Sequence, residues 1–190
     1  MSVTIKDRVS SVIKNYDKTL EAFAGIKTKE EITREEKGKS YLEPEDIKEI
    51  HQQLCERYGG DPTIRDTSLF EGLCTQPYQE VFGLQCYSSI FEKAAKFMES
   101  FVHHQVFVDG NKRTGFASMV VYLGMNGYDF KMSQTESYDF VMDVISGKYK
   151  NIAEIADIIR ANCEKVGDTY LADFRDMEKI FEKENEQPEF

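Results

Sequence analysis

Apolar residues recur every three or four positions along most of this chain, the signature of helices with one buried face. Val9, Val12, Ile13, Tyr16, Leu20 and Phe23 predict an N-terminal helix, followed by a charge-dominated run from Lys27 to Lys39 that reads as a solvated helix or linker. Pro44 at a first-turn position, with Glu45 and Asp46 beside it, opens a helix whose stripe is Ile47, Ile50, Leu54 and Tyr58. Gly59-Gly60 stops it. Asp66 is placed to cap a short helix carrying Leu69, Phe70 and Leu73. Pro77 and Gly83 then frame an extended piece, Tyr78-Gln79-Glu80-Val81-Phe82.

Ser89-x-x-Glu92 is a capping box opening a helix with Ala94, Ala95, Phe97, Met98, Phe101 and Val102, expected to be the central, most buried one. A further helix carries Ala117, Val120, Val121 and Leu123, and Asn126-Gly127 closes it. Tyr128 to Met132 reads as an extended link. Ser133-x-x-Glu136 and Asn151 start two more helices, with Phe140, Val141, Val144 and then Ile152, Ile155, Ile158, Ile159 inward. Tyr170, Phe174, Met177 and Phe181 give the acidic tail an amphipathic stripe. The chain is therefore expected to be all-α, without internal repeats.

At 190 residues, 41% hydrophobic and 31% charged, it is sized for one domain with a real core. Its net charge of −10 repels phosphate, which argues against a general nucleic-acid or anionic-membrane binder. No apolar run is long enough to span a bilayer and the N-terminus has no signal-like core, so a cytoplasmic address is expected. The cysteines at 55, 74, 86 and 163 show no metal-finger spacing and read as free thiols.

The candidate chemistry lies between the two most apolar helices, in Gln105-Val106-Phe107-Val108-Asp109-Gly110-Asn111-Lys112-Arg113-Thr114. Gly110 permits a tight turn, and the amides after it belong to a helix N-terminus that favours an anion. Lys112 and Arg113 add two cations, and Asp109 is a hard carboxylate suited to Mg²⁺. Asn111 can donate to a phosphate or hold the loop's own carbonyls. These residues describe a nucleotide-phosphate site; the alternative is an ordinary Asp-Gly turn before a basic first turn. Two cations at a helix start oppose the dipole unless an anion compensates, which favours the first reading. Phe107, flanked by Val106 and Val108, is expected to pin the loop into the core.

Residues 107–114 resemble the core of the Fic/Doc motif, H-x-F-x-D-G-N-K-R-T, and their ending resembles its death-on-curing (Doc) branch. Glu56–Gly60, Ile64–Asp66, Leu69–Leu73, Gln76-Pro77, Phe91–Ala95 and Asn126–Tyr128 are similar to other blocks of the family in the same order. The resemblance implies a Fido-fold helical bundle with a short β-hairpin-like flap over residues 42–163, flanked by a helical extension (1–41) and an acidic amphipathic helix (164–190). It implies a toxin-type transferase that uses Mg²⁺ and ATP to modify a hydroxyl of a target protein, such as a translation elongation factor, with an antitoxin as a further partner. Asp109 would hold the metal, and Gly110, Asn111, Lys112, Arg113 and Thr114 the phosphates. Tyr78, Gln79, Glu80, Val81 and Phe82 would be the flap that docks the target. AMP-transferring members often carry a second arginine three places after the first; Phe116 stands there, so phosphoryl transfer is the favoured chemistry.

The family's catalytic histidine corresponds to Gln105. An amide accepts a hydrogen bond but cannot carry a proton away near neutral pH. His103 and His104 are adjacent, but each is turned by about 100° along a helix from its neighbour. The chain is therefore expected to be catalytically impaired. It reads as a natural pseudoenzyme that binds nucleotide or protein, a toxin inactivated by substitution, or an enzyme using another base. No inhibitory S/T-x-x-x-E-G/N helix occurs in either flank.

Overall fold

The computed structural model describes residues 41–165. The helix expected over residues 9–23, the charged run 27–39 and the amphipathic stripe 170–181 lie outside the described residues. Among the described residues six α-helices carry the fold: α1 (Pro44–Tyr58), α2 (Thr67–Thr75), α3 (Ile90–His103), α4 (Asn111–Met125), α5 (Gln134–Ile145) and α6 (Ile152–Ala161). Among the described residues there are also two two-stranded antiparallel sheets: a hairpin of β1 (Glu80–Val81) with β2 (Leu84–Gln85), and a pairing of β3 (Tyr128–Phe130) with β4 (Cys163–Lys165) across the two helices between them. No helix among the described residues is long and apolar enough to cross a membrane.

The helix starts follow the capping chemistry in the sequence. Asp66 accepts from the Leu69 amide, Ser89 from Glu92, Ser133 from Glu136 and Asn151 from Glu154, so each start satisfies an amide that has no helical partner. Glu92 and Glu136 reach back to the amides of Ser89 and Ser133, which completes two capping boxes.

The most buried helix is α4, where α3 was expected. Residues Arg113 through Val120 and Tyr122 through Leu123 are all buried, so α4 is covered on every side. Helix α3 buries one face, led by Ala94, Ala95, Phe97, Met98 and Phe101. The two pack closely because Gly115 has no side chain: a Cβ there would lie 2.9 Å from the Met98 carbonyl oxygen. This pair is the scaffold of the site, since the loop from His104 to Gly110 joins the end of one helix to the start of the other.

Three local expectations change. Tyr78 is not part of an extended flap. Residues Gln76–Tyr78 form a 3₁₀ turn, helped by Pro77, whose fixed φ suits a helical turn. The Tyr78 hydroxyl accepts from the Leu42 amide at 2.7 Å and its ring packs on Phe97, so burial holds it inward. The hairpin begins at Glu80, and Phe82 occupies its turn beside Gly83. The link from Tyr128 is a strand, and Glu164 and Lys165 pair with it rather than opening a helix: Asp129 lies opposite Glu164 and Tyr128 opposite Lys165. Leu69, expected inward, is 37% exposed.

Candidate nucleotide-phosphate site

The loop before α4 is held from below by its own aromatic residue. Phe107 is fully buried, stacked on His51 with centroids 3.6 Å apart and bordered by Phe70 and Phe101. The loop's backbone is held from the side by an isolated antiparallel bridge between Phe107 and Ile64. The Arg65 amide donates to the Val106 carbonyl at 2.8 Å, and the Val108 amide to the Thr63 carbonyl at 2.9 Å.

Asn111 closes this frame. Its Oδ1 accepts from the Phe107 amide at 2.9 Å and its Nδ2 donates to the Phe107 carbonyl at 3.0 Å. Of the two roles open to Asn111, the structure shows the second: the side chain holds the loop. One N–H of Nδ2 is committed to the Phe107 carbonyl, which leaves the second as the only donor the side chain could offer a phosphate.

Thr114 is turned to the core. It is fully buried, with its hydroxyl 3.0 Å from the Gly110 carbonyl and 2.8 Å from His51 Nδ1, so it faces the core and not a ligand.

Gly110 takes φ +76°, the left-handed conformation that glycine adopts without strain. A Cβ there would also lie 3.2 Å from the His51 ring. The first helical bond runs from the Thr114 amide to the Gly110 carbonyl, so the amides of residues 111–113 precede it in the anion-favouring first turn. The two cations of that turn part company. Lys112 is exposed, whereas Arg113 is 8% exposed, donating through Nη1 to the Gly59 carbonyl at 3.1 Å. Its Nη2 lies 3.5 Å from Asp109 Oδ2. The other Asp109 oxygen accepts from the Gly110 amide at 2.6 Å, which aims a half-exposed carboxylate at the loop's mouth.

Gln105 is exposed at the rim, and among the described residues no hydrogen bond holds its side chain. His104, the nearest alternative base, turns back onto α3. Its Nδ1 lies 2.8 Å from the Ser100 carbonyl and therefore donates to it, capping the helix end.

A divalent cation fits this donor set in one way only. Among the described residues no three His, Cys, Asp or Glu side chains gather as a metal site. One exposed carboxylate beside an anion-favouring helix start suits Mg²⁺, which is commonly bound by one or two carboxylates together with a substrate's phosphates.

Sequence reasoning missed His51. Burial, and the Arg113 charge after it, depress its pKa to about 4 from the ordinary 6.5. Above pH 6.5 the ring is neutral in both folded and unfolded chains and contributes no pH dependence. Between 6.5 and about 4 only the unfolded chain takes up the proton, so stability falls as pH falls, by up to about 3 kcal/mol from this group. Urea unfolding at pH 7 and pH 4.5 should show that loss, and His51→Gln should shrink it; an equal drop in both proteins would contradict the assignment.

Residues 41–123 match the model of the Fic/DOC family. A toxin Doc of Mycolicibacterium smegmatis is 32% identical over 83 residues, which cover 42% of this chain and 64% of that protein. The protein kinase doc of Escherichia phage P1 is 25% identical over 125 residues, covering 63% of this chain and 93% of its own. Through residues 41–123 the chain is similar to the Fic/DOC family.

Proposed function

We propose that this chain is a Doc-like, nucleotide-dependent protein transferase whose binding site is intact and whose chemistry is impaired at Gln105. The observation that carries this reading is the arrangement at the start of α4. An exposed Asp109 carboxylate, the left-handed Gly110 and the first-turn amides form an anion cradle, and the residue at the family's histidine position is an amide. The relatives named toxin Doc and protein kinase doc support a toxin that acts as a kinase.

In such a transfer the oxygen of a target hydroxyl attacks the γ-phosphorus of ATP. The new O–P bond forms as the bond to the β-phosphate oxygen breaks, ADP leaves, and the hydroxyl proton must go to a base. Asp109 would hold Mg²⁺, which neutralises phosphate charge. The loop frame built by Phe107, Asn111 and the Ile64 bridge keeps the cradle rigid. Gln105 accepts a hydrogen bond from the hydroxyl but does not take its proton. Phosphoryl transfer is favoured over AMP transfer because Phe116, at the position of the second arginine, is buried in the core and offers no cation.

The hairpin Glu80–Gln85 would dock an extended segment of the target, such as a translation elongation factor, by strand addition. Its tip is apolar and exposed, with Phe82 at 99% and Leu84 at 74%. Regulation by a separate antitoxin belongs to the same reading. The second reading, a pseudoenzyme that binds nucleotide or protein, is favoured by Gln105 alone.

The test is Gln105→His. Growth arrest on expression, with label reaching a cell-extract protein from γ-labelled ATP but not from α-labelled ATP, is the expected result. Label from the α position would make it an AMP transferase. No transfer from either would leave the pseudoenzyme reading.

A further inference from the structure

Three cations stand at this loop, and the one that the motif would credit with gripping phosphate is the one most engaged by the protein. Arg113 is nearly buried, held by the Gly59 carbonyl and paired with Asp109. Arg65 stands in the opposite condition. It lies on the segment bridged to Phe107, and its exposed side chain reaches across to donate from Nη2 to the Val108 carbonyl at 3.0 Å. Val108 immediately precedes Asp109, so this bond brings the guanidinium to the exposed edge of the loop. Among the described residues it is the only hydrogen bond or ion pair that the Arg65 side chain makes. A guanidinium has five N–H donors in a rigid fork suited to phosphate oxygens. One bond to Val108 orients the fork and leaves most of it uncommitted.

We propose that Arg65 is a phosphate-binding residue of the nucleotide site, fixed by the Val108 carbonyl and gripping the polyphosphate of Mg-ATP with its remaining donors. This rests on the nucleotide-binding reading above. It adds to the cradle a residue some forty positions upstream of the motif. Two facts give it weight. The chain is strongly acidic, so an exposed arginine beside the loop has a wealth of carboxylates to pair with, yet it pairs with none among the described residues. And the bond to Val108 is one that a ligand need not break, whereas engaging Arg113 requires loosening its pair with Asp109.

The experiment is calorimetric titration of Mg-ATP into the full chain and into Arg65→Gln and Arg65→Lys. Glutamine keeps a donor for the Val108 carbonyl but loses the charge; lysine keeps the cation but loses the fork. A charge-assisted phosphate contact predicts that Arg65→Gln weakens binding by about 10- to 100-fold, with Arg65→Lys between it and the parent. Equal losses in the two variants would assign Arg65 to loop support and overturn the proposal, as would unchanged affinity in both. Melting temperatures without nucleotide identify a variant that fails to fold; if Arg65→Gln does, Arg65→Lys binding as tightly as the parent overturns the proposal. A parent chain that does not bind Mg-ATP would instead remove the nucleotide-binding reading itself.

Discussion

Gln105→His should raise transfer to the target hydroxyl by about 10²- to 10⁴-fold, the usual contribution of a general base. Binding and proton removal rest on different atoms here. On the proposed reading the cradle is Asp109, Gly110, the first-turn amides and the nearby cations, whereas the proton would be taken by the histidine that the variant places at 105. Gln105 is exposed, and among the described residues no hydrogen bond ties it to the frame, so exchanging it should leave the loop's shape unchanged. The variant's affinity for Mg-ATP should therefore stay within a few-fold of the parent's while turnover rises. Turnover measured with labelled ATP decides it. Equal rates in the two proteins would mean that another base works, and His104 would then have to give up its bond to the Ser100 carbonyl to serve.

The second large effect is on stability. Phe107→Ala should cost about 3–5 kcal/mol, because it empties a fully buried site between His51, Phe70 and Phe101. The loss should also reach the site, since the Phe107 backbone is what Asn111 and the Ile64 bridge hold in place. Urea unfolding gives the number. A cost below about 1 kcal/mol would show that the ring is not the pin of this loop.

What was legible in the sequence was local. Caps at Asp66, Ser89, Ser133 and Asn151 could be read because a helix start is decided within four residues. The loop could be read because its glycine, acid and bases are contiguous. What was not legible depends on distant pairing. Nothing near residue 51 signals that its imidazole supports Gly110, Thr114 and Phe107, and nothing near residue 65 signals a bond to a carbonyl 43 positions away. Strand β4 is three residues long, too short for an alternating pattern, and exists only because Tyr128–Phe130 offers it an edge.

Asn111 and Thr114 show a second limit. Their residue types suit phosphate and suit backbone equally well, and only the fold shows that their polar atoms are engaged by Phe107, Gly110 and His51. Tyr78 shows a third. Its position beside a strand-like run suggested a flap, but a tyrosine whose hydroxyl finds the Leu42 amide gains more from burial than from an exposed hairpin.

On the proposed reading, the loop before α4 is a working nucleotide cradle in the chain as it stands, with glutamine at 105. Thermal unfolding with and without Mg-ATP tests it most directly. At about 100 times the dissociation constant, binding to the folded state should add roughly 2.7 kcal/mol of stability, and that gain should shrink when Mg²⁺ is removed. A chain whose unfolding is unmoved by Mg-ATP or any other purine nucleotide would contradict the cradle.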